Sequence, residues 1–131
     1  MKQVGVIPYK RTGIGKVKVL LVTSRETGRW VIPKGWRMSG IADPDAAAKE
    51  ALEEAGVVGK VEQDPIGSYA YFKRRKSTFK LIQVSVYLLD TEKLMPDWQE
   101  KDERKRQWFS VPQAQQNVNE PGLITLLGML R

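Results

Sequence analysis

Residues 35–57 read GWRMSGIADPDAAAKEALEEAGV, and this stretch decides how we interpret the rest of the chain. It begins with a glycine turn, continues as a loop, and then has the composition of a helix. Asp43 can cap this helix, Pro44 suits the first helical position, alanines fill the interior, and Gly56 follows the last helical residue. These residues therefore predict a helix over residues 44–55 with Asp43 as its N-cap.

Three carboxylates crowd the end of this predicted helix. Glu50, Glu53 and Glu54 lie three and four residues apart, within an arc of roughly 100° on one face. Like charges at this spacing repel by roughly 0.2–0.5 kcal/mol per pair, and acids in a last helical turn are disfavoured by about 0.3–1 kcal/mol. A solvated acidic face is the plain alternative. A bound divalent cation would reverse both penalties, and carbonyls in the preceding turn at 33–36 would add hard ligands.

The composition narrows the chemistry further. The chain has 131 residues, 41% hydrophobic and 28% charged, which is typical of one globular domain, so we expect a single domain over residues 1–131. It contains no histidine and no cysteine, which excludes Ser-His-Asp and Cys-His catalysis and His or thiolate zinc sites. Acid–base work falls to carboxylates, lysine or tyrosine, and magnesium, manganese or calcium is the expected kind of metal.

Charge and hydropathy indicate the kind of partner. Lys and Arg outnumber Asp and Glu by 22 to 15, giving a net charge of +7 that suits polyanionic ligands such as phosphates or nucleic acid. No apolar run approaches the ~20 residues of a membrane span, and no signal peptide precedes the first strand-like segment. We therefore expect a cytoplasmic protein with no membrane partner. The oligomeric state is left open.

The remaining pattern predicts an α+β domain with a mixed sheet between helices. Ala48, Leu52 and Ala55 lie on the helix side opposite the glutamates and are expected to pack on the sheet. Residues 90–103 are polar and are predicted to form a loop. The predicted strands cover residues 2–10, 17–23, 29–33, 57–61, 66–73, 78–89 and 107–111, and two further helices cover 112–117 and 121–130.

The opening stretch resembles the Nudix box, whose pattern is Gly, five residues, Glu, seven residues, then Arg-Glu-apolar-any-Glu-Glu-any-Gly-apolar. The chain matches this pattern at Gly35, Glu50, Glu53, Glu54, Gly56 and Val57. It departs at Ile41, where the family has Glu, and at Lys49, where the family has Arg. The resemblance implies a Nudix-like α/β/α sandwich in which Gly35 and Gly56 shape the turns on either side of the loop and helix.

The flanks of the box resemble one branch of that family. Residues 29–33 (RWVIP) and 104–109 (RKRQWF) look like the diphosphoinositol polyphosphate phosphohydrolases, which also handle dinucleoside polyphosphates. The resemblance implies attack of water on phosphorus with Mg²⁺, or Mn²⁺, as cofactor. It implies metal ligands at Glu50, Glu54 and the backbone carbonyl of Lys34, and it makes Glu53 the favoured general base, with Glu54 as the alternative.

Cationic side chains should hold the phosphates that do not react. By the same resemblance the candidates are Ser24, Arg25, Arg74, Arg75, Lys76 and Arg104. Glu120 stands where the polyphosphate branch has a basic residue, which weakens the case for an inositol pyrophosphate and affects a dinucleoside polyphosphate less. The alternatives are a hydrolase of nucleoside diphosphate sugars, nucleoside triphosphates or RNA 5′ ends, and a non-catalytic module that binds nucleotides or RNA.

Overall fold

The computed structural model describes residues 1–130 and is built on a mixed sheet with three helices. None of these helices is long and apolar enough to span a membrane. The strands are β1 (Lys2–Arg11), β2 (Val17–Thr23), β3 (Trp30–Val31), β4 (Lys34–Trp36), β5 (Val57–Val61), β6 (Gly67–Arg75), β7 (Thr78–Leu94) and β8 (Arg106–Ser110). The helices are α1 (Asp43–Ala55), α2 (Val111–Asn117) and α3 (Pro121–Leu127).

Strands β1 and β7 form the centre of the sheet and run parallel to each other. The order along the sheet is β3-β2-β1-β7-β5, with β4 paired to β1, β6 to β7 and β8 to β2. All the pairs other than β1–β7 are antiparallel. The prediction of a mixed sheet in an α+β fold is confirmed.

Each face of the sheet carries its own buried core, because side chains alternate along the strands. Val4 and Val6 of β1 face α1, whereas Ile7 faces α2 and α3. The first core is completed by alanines of α1, and the second by Leu123 and Leu127 of α3. The sheet is thus covered by helices on both faces, as the predicted α/β/α sandwich requires.

The face that α1 turns towards the sheet differs from the prediction. Ala55 is fully buried as expected, but Leu52 is 44% exposed, so its predicted packing on the sheet is wrong. The buried face instead runs through Ala51, Glu50 and Glu54. Small alanine side chains let the helix lie close to the sheet, and that close approach draws the two glutamates inwards rather than leaving them on the opposite side.

The prediction of a loop over residues 90–103 is also wrong in its first part, because β7 continues to Leu94. Its polar end pairs with β5, with Val57 opposite Leu94, so the partner strand decides the conformation there. The remaining segment, residues 95–105, passes over the carboxyl end of α1 and bonds to it. Trp98 Nε1 donates to the Glu54 carbonyl at 3.1 Å, and the Glu100 N–H donates to the Glu53 carbonyl at 3.1 Å.

The carboxyl end of α1 is closed by Gly56 in the left-handed region, at φ 66°. The Arg106 guanidinium donates to the Ala55 carbonyl at 2.9 Å and stacks 3.8 Å from the Trp98 ring. A Cβ at position 56 would lie 2.7 Å from that guanidinium. Both the backbone conformation and the available space therefore require glycine here, and the capped helix end fixes where its last glutamates point.

Candidate active site

The Glu50 carboxylate lies directly against the backbone of β4. A Cβ built on Gly35 would fall 2.2–2.6 Å from the carboxylate atoms of Glu50, closer than any real contact. Gly35 itself pairs with Val4 in the sheet, so the strand cannot retreat without breaking that pairing. The prediction that Gly35 lies in a turn is wrong, because it belongs to strand β4. The box glycine is needed for space, because it lets an acidic side chain of α1 reach the strand.

Glu54 lies one helical turn further on and contacts the same strand. Its Oε1 accepts a hydrogen bond from the Lys34 N–H at 3.3 Å, and its Oε2 lies 3.7 Å from the Arg104 guanidinium. Glu50 and Glu54 are only 8% and 7% exposed. Two buried carboxylates thus share one site beside the Arg104 guanidinium.

Burial makes this pair costly to ionise. Burial raises the pKa of Glu54 to about 7; Arg104 opposes the shift, while Glu50 and Glu100 add to it. Burial also raises the pKa of Glu50, and the negative charges of Glu53 and Glu100 raise it further. A cation between the two carboxylates would offset both the burial and the repulsion.

The carbonyl of Lys34 points to the same side as these carboxylates. The Val6 N–H donates to the Pro33 carbonyl at 3.0 Å, which makes Gly5–Lys34 a non-hydrogen-bonded pair of the β1–β4 ladder. Both backbone groups of Lys34 therefore face away from β1, and its N–H reaches Glu54. This direction favours the carbonyl as a third oxygen ligand.

The residues present fit a hard divalent cation. Two carboxylates and a backbone carbonyl are oxygen donors of the kind that Mg²⁺ and Mn²⁺ prefer, and the bare Cα of Gly35 leaves space beside Glu50. Within residues 1–130, however, no three acidic side chains are grouped closely enough to form a complete site by themselves. Water and substrate phosphates would have to complete the coordination, as is usual for Mg²⁺.

A cleft of about 670 Å³ opens beside this pair. Among the residues predicted for the site, those lining the cleft are Ser24, Arg25, Lys34, Gly35, Glu50, Glu54, Arg74 and Arg104. Glu53, Gly56, Arg75 and Lys76 do not line it. The structure thus brings together the predicted ligands and Arg74, one of the three predicted cationic residues of the hairpin tip, and it places the predicted base Glu53 at the side.

Glu53 lies on the more exposed flank of α1. Its side chain is 25% exposed, and its Oε1 is 3.8 Å from Lys49 Nζ. It is near enough to Glu50 to raise the pKa of that carboxyl. Lys49, one of the two departures from the box, is thus an ordinary helix partner of Glu53, and Ile41, the other departure, is 39% exposed in the loop before α1.

Arg104 is held more firmly than a free phosphate-binding side chain would be. Its Nε donates to Glu100 Oε1 at 2.6 Å, and its guanidinium also donates to the Thr23 carbonyl at 2.9 Å. Glu100 lines the cleft and was not predicted as a site residue, since it falls in the segment interpreted as a loop. The four-residue spacing of Glu100 and Arg104 was the one signal in the sequence that paired them.

The fold is an α/β/α sandwich, and the site is a cleft beside strand β4 that is lined by carboxylates. These two features together define the class of protein. The chain belongs to the NUDIX domain family, whose family model matches residues 1–127. The resemblance of the box is thereby confirmed.

Individual relatives agree with this assignment. The chain is 31% identical over 115 residues to Nudix hydrolase 21, chloroplastic, of Arabidopsis thaliana, covering 85% of this chain and 56% of that protein. It is 36% identical over 100 residues to the human diphosphoinositol polyphosphate phosphohydrolase 3-beta, covering 74% and 57%. The chain thus spans little more than half the length of these two curated relatives.

A solved structure shares the fold. The Ap4A hydrolase of C. elegans, in a binary complex, superposes with a TM-score of 0.70 at 22% identity and covers 97% of this chain and 92% of its own. At that identity the likeness concerns the fold.

Proposed function

We propose that the protein is a Mg²⁺-dependent pyrophosphohydrolase that cleaves a phosphoanhydride bond by attack of water. The observation that carries this proposal is the buried pair Glu50 and Glu54, held against Gly35 and the Lys34 backbone inside a cleft lined by arginines. The substrate class proposed is a dinucleoside polyphosphate or a diphosphoinositol polyphosphate. The names of a curated relative and of a solved structure support that class.

Each residue has a proposed role. Glu50, Glu54 and the Lys34 carbonyl would hold Mg²⁺ or Mn²⁺, which when bound neutralises phosphate charge and orients the attacking oxygen. Glu53, next to Glu50, takes the proton from the attacking water. Arg74, with Ser24 and Arg25 beside it in the cleft, holds the phosphates that do not react. Arg104 keeps Glu54 and Glu100 in place.

Glu53→Gln tests both the activity and the assignment of the base. We expect turnover of diadenosine tetraphosphate with saturating Mg²⁺ to fall by roughly 10²–10⁴-fold, because a general base contributes that much. Mn²⁺ affinity, measured by electron paramagnetic resonance, should stay close to wild type because the two ligands are untouched.

The matched control is Glu62→Gln, an exposed acid that does not line the cleft. Near wild-type turnover by the Glu53 variant would transfer the role of base to Glu54. Failure of the wild type to hydrolyse any of diadenosine tetraphosphate, ADP-ribose, nucleoside triphosphates or an inositol pyrophosphate would refute the proposed function itself.

The basic tip of the β6–β7 hairpin offers an internal comparison. Arg74 lines the cleft, and its neighbour Arg75, one residue nearer the turn of the hairpin, does not. We expect Arg74→Gln to raise the Michaelis constant about tenfold with little change in turnover, and Arg75→Gln to change it less than twofold. Neutralising Arg74, Arg75 and Lys76 together should do little more than Arg74→Gln alone. An unchanged Michaelis constant in all three variants would remove the tip from the binding site.

A further inference from the structure

Two acidic residues that line the cleft, Glu26 and Glu120, have no role in the proposed chemistry, and of these Glu120 is the buried one. Glu120 immediately precedes α3, but its side chain makes no capping bond to that helix. Its Oε2 lies 3.7 Å from the Arg29 guanidinium, and the side chain is only 12% exposed. Its Oε1 is fully buried and has no hydrogen-bond partner within residues 1–130.

The neighbours of Glu120 are polar and already bonded among themselves. Tyr71 donates its hydroxyl to Gln3 Oε1 at 2.8 Å, and Lys34 Nζ lies 5.3 Å from the centre of the Tyr71 ring. These residues line the same cleft as Glu120, and the negative charge of Glu120 acts to raise the pKa of both Lys34 and Tyr71. This part of the cleft is therefore lined by polar side chains that hold one another in place.

The free oxygen of Glu120 selects one kind of ligand group. A buried acceptor without a partner is unfavourable, and a carboxylate oxygen accepts hydrogen bonds only. A hydroxyl or amino group would be a favourable partner for this carboxylate where the side chain borders the cleft. A phosphate oxygen, which is anionic and itself an acceptor, would be repelled. The arginines of the cleft attract phosphates, whereas Glu120 favours an uncharged hydrogen-bond donor.

We propose that Glu120 is a specificity-determining residue, which accepts a hydrogen bond from a hydroxyl or amino group of a nucleoside and disfavours a fully phosphorylated inositol ring. A nucleoside carries ribose hydroxyls and base amino groups. An inositol with a phosphate on every carbon carries no free hydroxyl. This inference rests on the proposed function and assigns its substrate to the nucleoside polyphosphates.

The test is binding, which does not depend on turnover. Dissociation constants of ADP and of inositol hexakisphosphate are measured by isothermal titration calorimetry with Mg²⁺, for the wild type, Glu120→Lys and Glu120→Gln. We expect Glu120→Lys to weaken ADP binding and to tighten inositol hexakisphosphate binding, each about tenfold. Glu120→Gln keeps an acceptor oxygen of the same shape, so ADP binding should stay within about threefold while inositol hexakisphosphate binds more tightly.

Glu26→Lys is the matched control, because this acid also lines the cleft but is exposed. It makes the same change in charge, so the ratio of the two dissociation constants should move by less than about threefold. The inference is overturned if Glu120→Lys shifts both constants in the same direction, if Glu26→Lys changes the ratio as much, or if the wild type does not bind ADP. If the binding ratios are as expected but the wild type hydrolyses none of the substrates tested, the proposed function is refuted and the inference about Glu120 is not.

Discussion

Gly35→Ala is expected to lower kcat/KM by about 100-fold or more while the protein stays folded. The new methyl group would lie 2.2–2.6 Å from the Glu50 carboxylate, and the strand that carries it is fixed by pairing with Val4. The carboxylate must therefore move, and a displacement of about 1 Å in a catalytic group costs roughly 100-fold in rate. Gly35 is not in the left-handed region, so alanine adds no backbone strain of its own.

Two measurements check this expectation. The first is kcat/KM with diadenosine tetraphosphate, and the second is Mn²⁺ affinity by electron paramagnetic resonance, which should weaken in parallel. Gly128→Ala is the matched control: its φ is −65°, it does not line the cleft, and the atom nearest to the added Cβ would be the end of the flexible Gln115 side chain at 2.9 Å, followed by the Thr125 carbonyl oxygen at 3.4 Å. Unaltered Mn²⁺ affinity in Gly35→Ala would show that Glu50 does not hold the metal.

Glu54→Gln is expected to abolish activity and yet stabilise the metal-free protein at alkaline pH. The amide still accepts the Lys34 hydrogen bond but carries no charge to bury. The rise in pKa from 4.5 to about 7 corresponds to about 3 kcal/mol of unfavourable ionisation in the folded protein. The pKa of about 7 already includes the opposing effect of Arg104, so the free energy of unfolding at pH 8 should increase by about 3 kcal/mol.

The sign of the pH dependence follows from the same shift. Between pH 4.5 and about 7, folded wild-type protein keeps a proton on Glu54 that the unfolded chain has released. Its stability is therefore highest below this range and falls as the pH rises through it. Urea unfolding in the presence of a metal chelator, at pH 4.5 and at pH 8, measures this change in the free energy of unfolding. The variant and the wild type should agree at pH 4.5, and Glu62→Gln should match the wild type at both. A Glu54→Gln variant less stable than wild type at pH 8 would contradict the expectation.

Local signals in the sequence were enough for much of the fold. The end of α1 at Ala55 is confirmed as Gly56 predicts, whereas the predicted cap is wrong by one residue, because the helix begins at Asp43 and Ala42 is its N-cap. Strand β2, Val17–Thr23, is likewise where its β-branched run placed it. Both depend on neighbours within a few residues, which the sequence displays directly.

The wrong predictions concern residues whose position or conformation is set by contacts with distant parts of the chain. Leu52 is the largest apolar side chain of α1 but faces outwards, because the small face through Ala51 gives the closer approach to the sheet. The end of β7 up to Leu94 is polar but is held as a strand by β5. Glu100 reaches the cleft only because residues 95–105 cross the end of α1. Such contacts join residues far apart in the chain and leave no local pattern.

The assignment of single side chains to the site shows the same limit. The spacing put Glu50, Glu53 and Glu54 on one face, but it did not say which of them would turn towards Gly35. The roles of these residues, the Mg²⁺ dependence and the cytoplasmic location stay predictions.

The contact between Gly35 and Glu50 has a consequence for folding. Lys34 and Glu54 are bonded across a separation of 20 residues, and neither glutamate meets β4 until that strand has paired with β1 and α1 has docked on the sheet. The site therefore depends on tertiary contacts and is not present in any local segment. A cation held there binds the native state alone, so it would act as a folding ligand that offsets the cost of enclosing two negative charges.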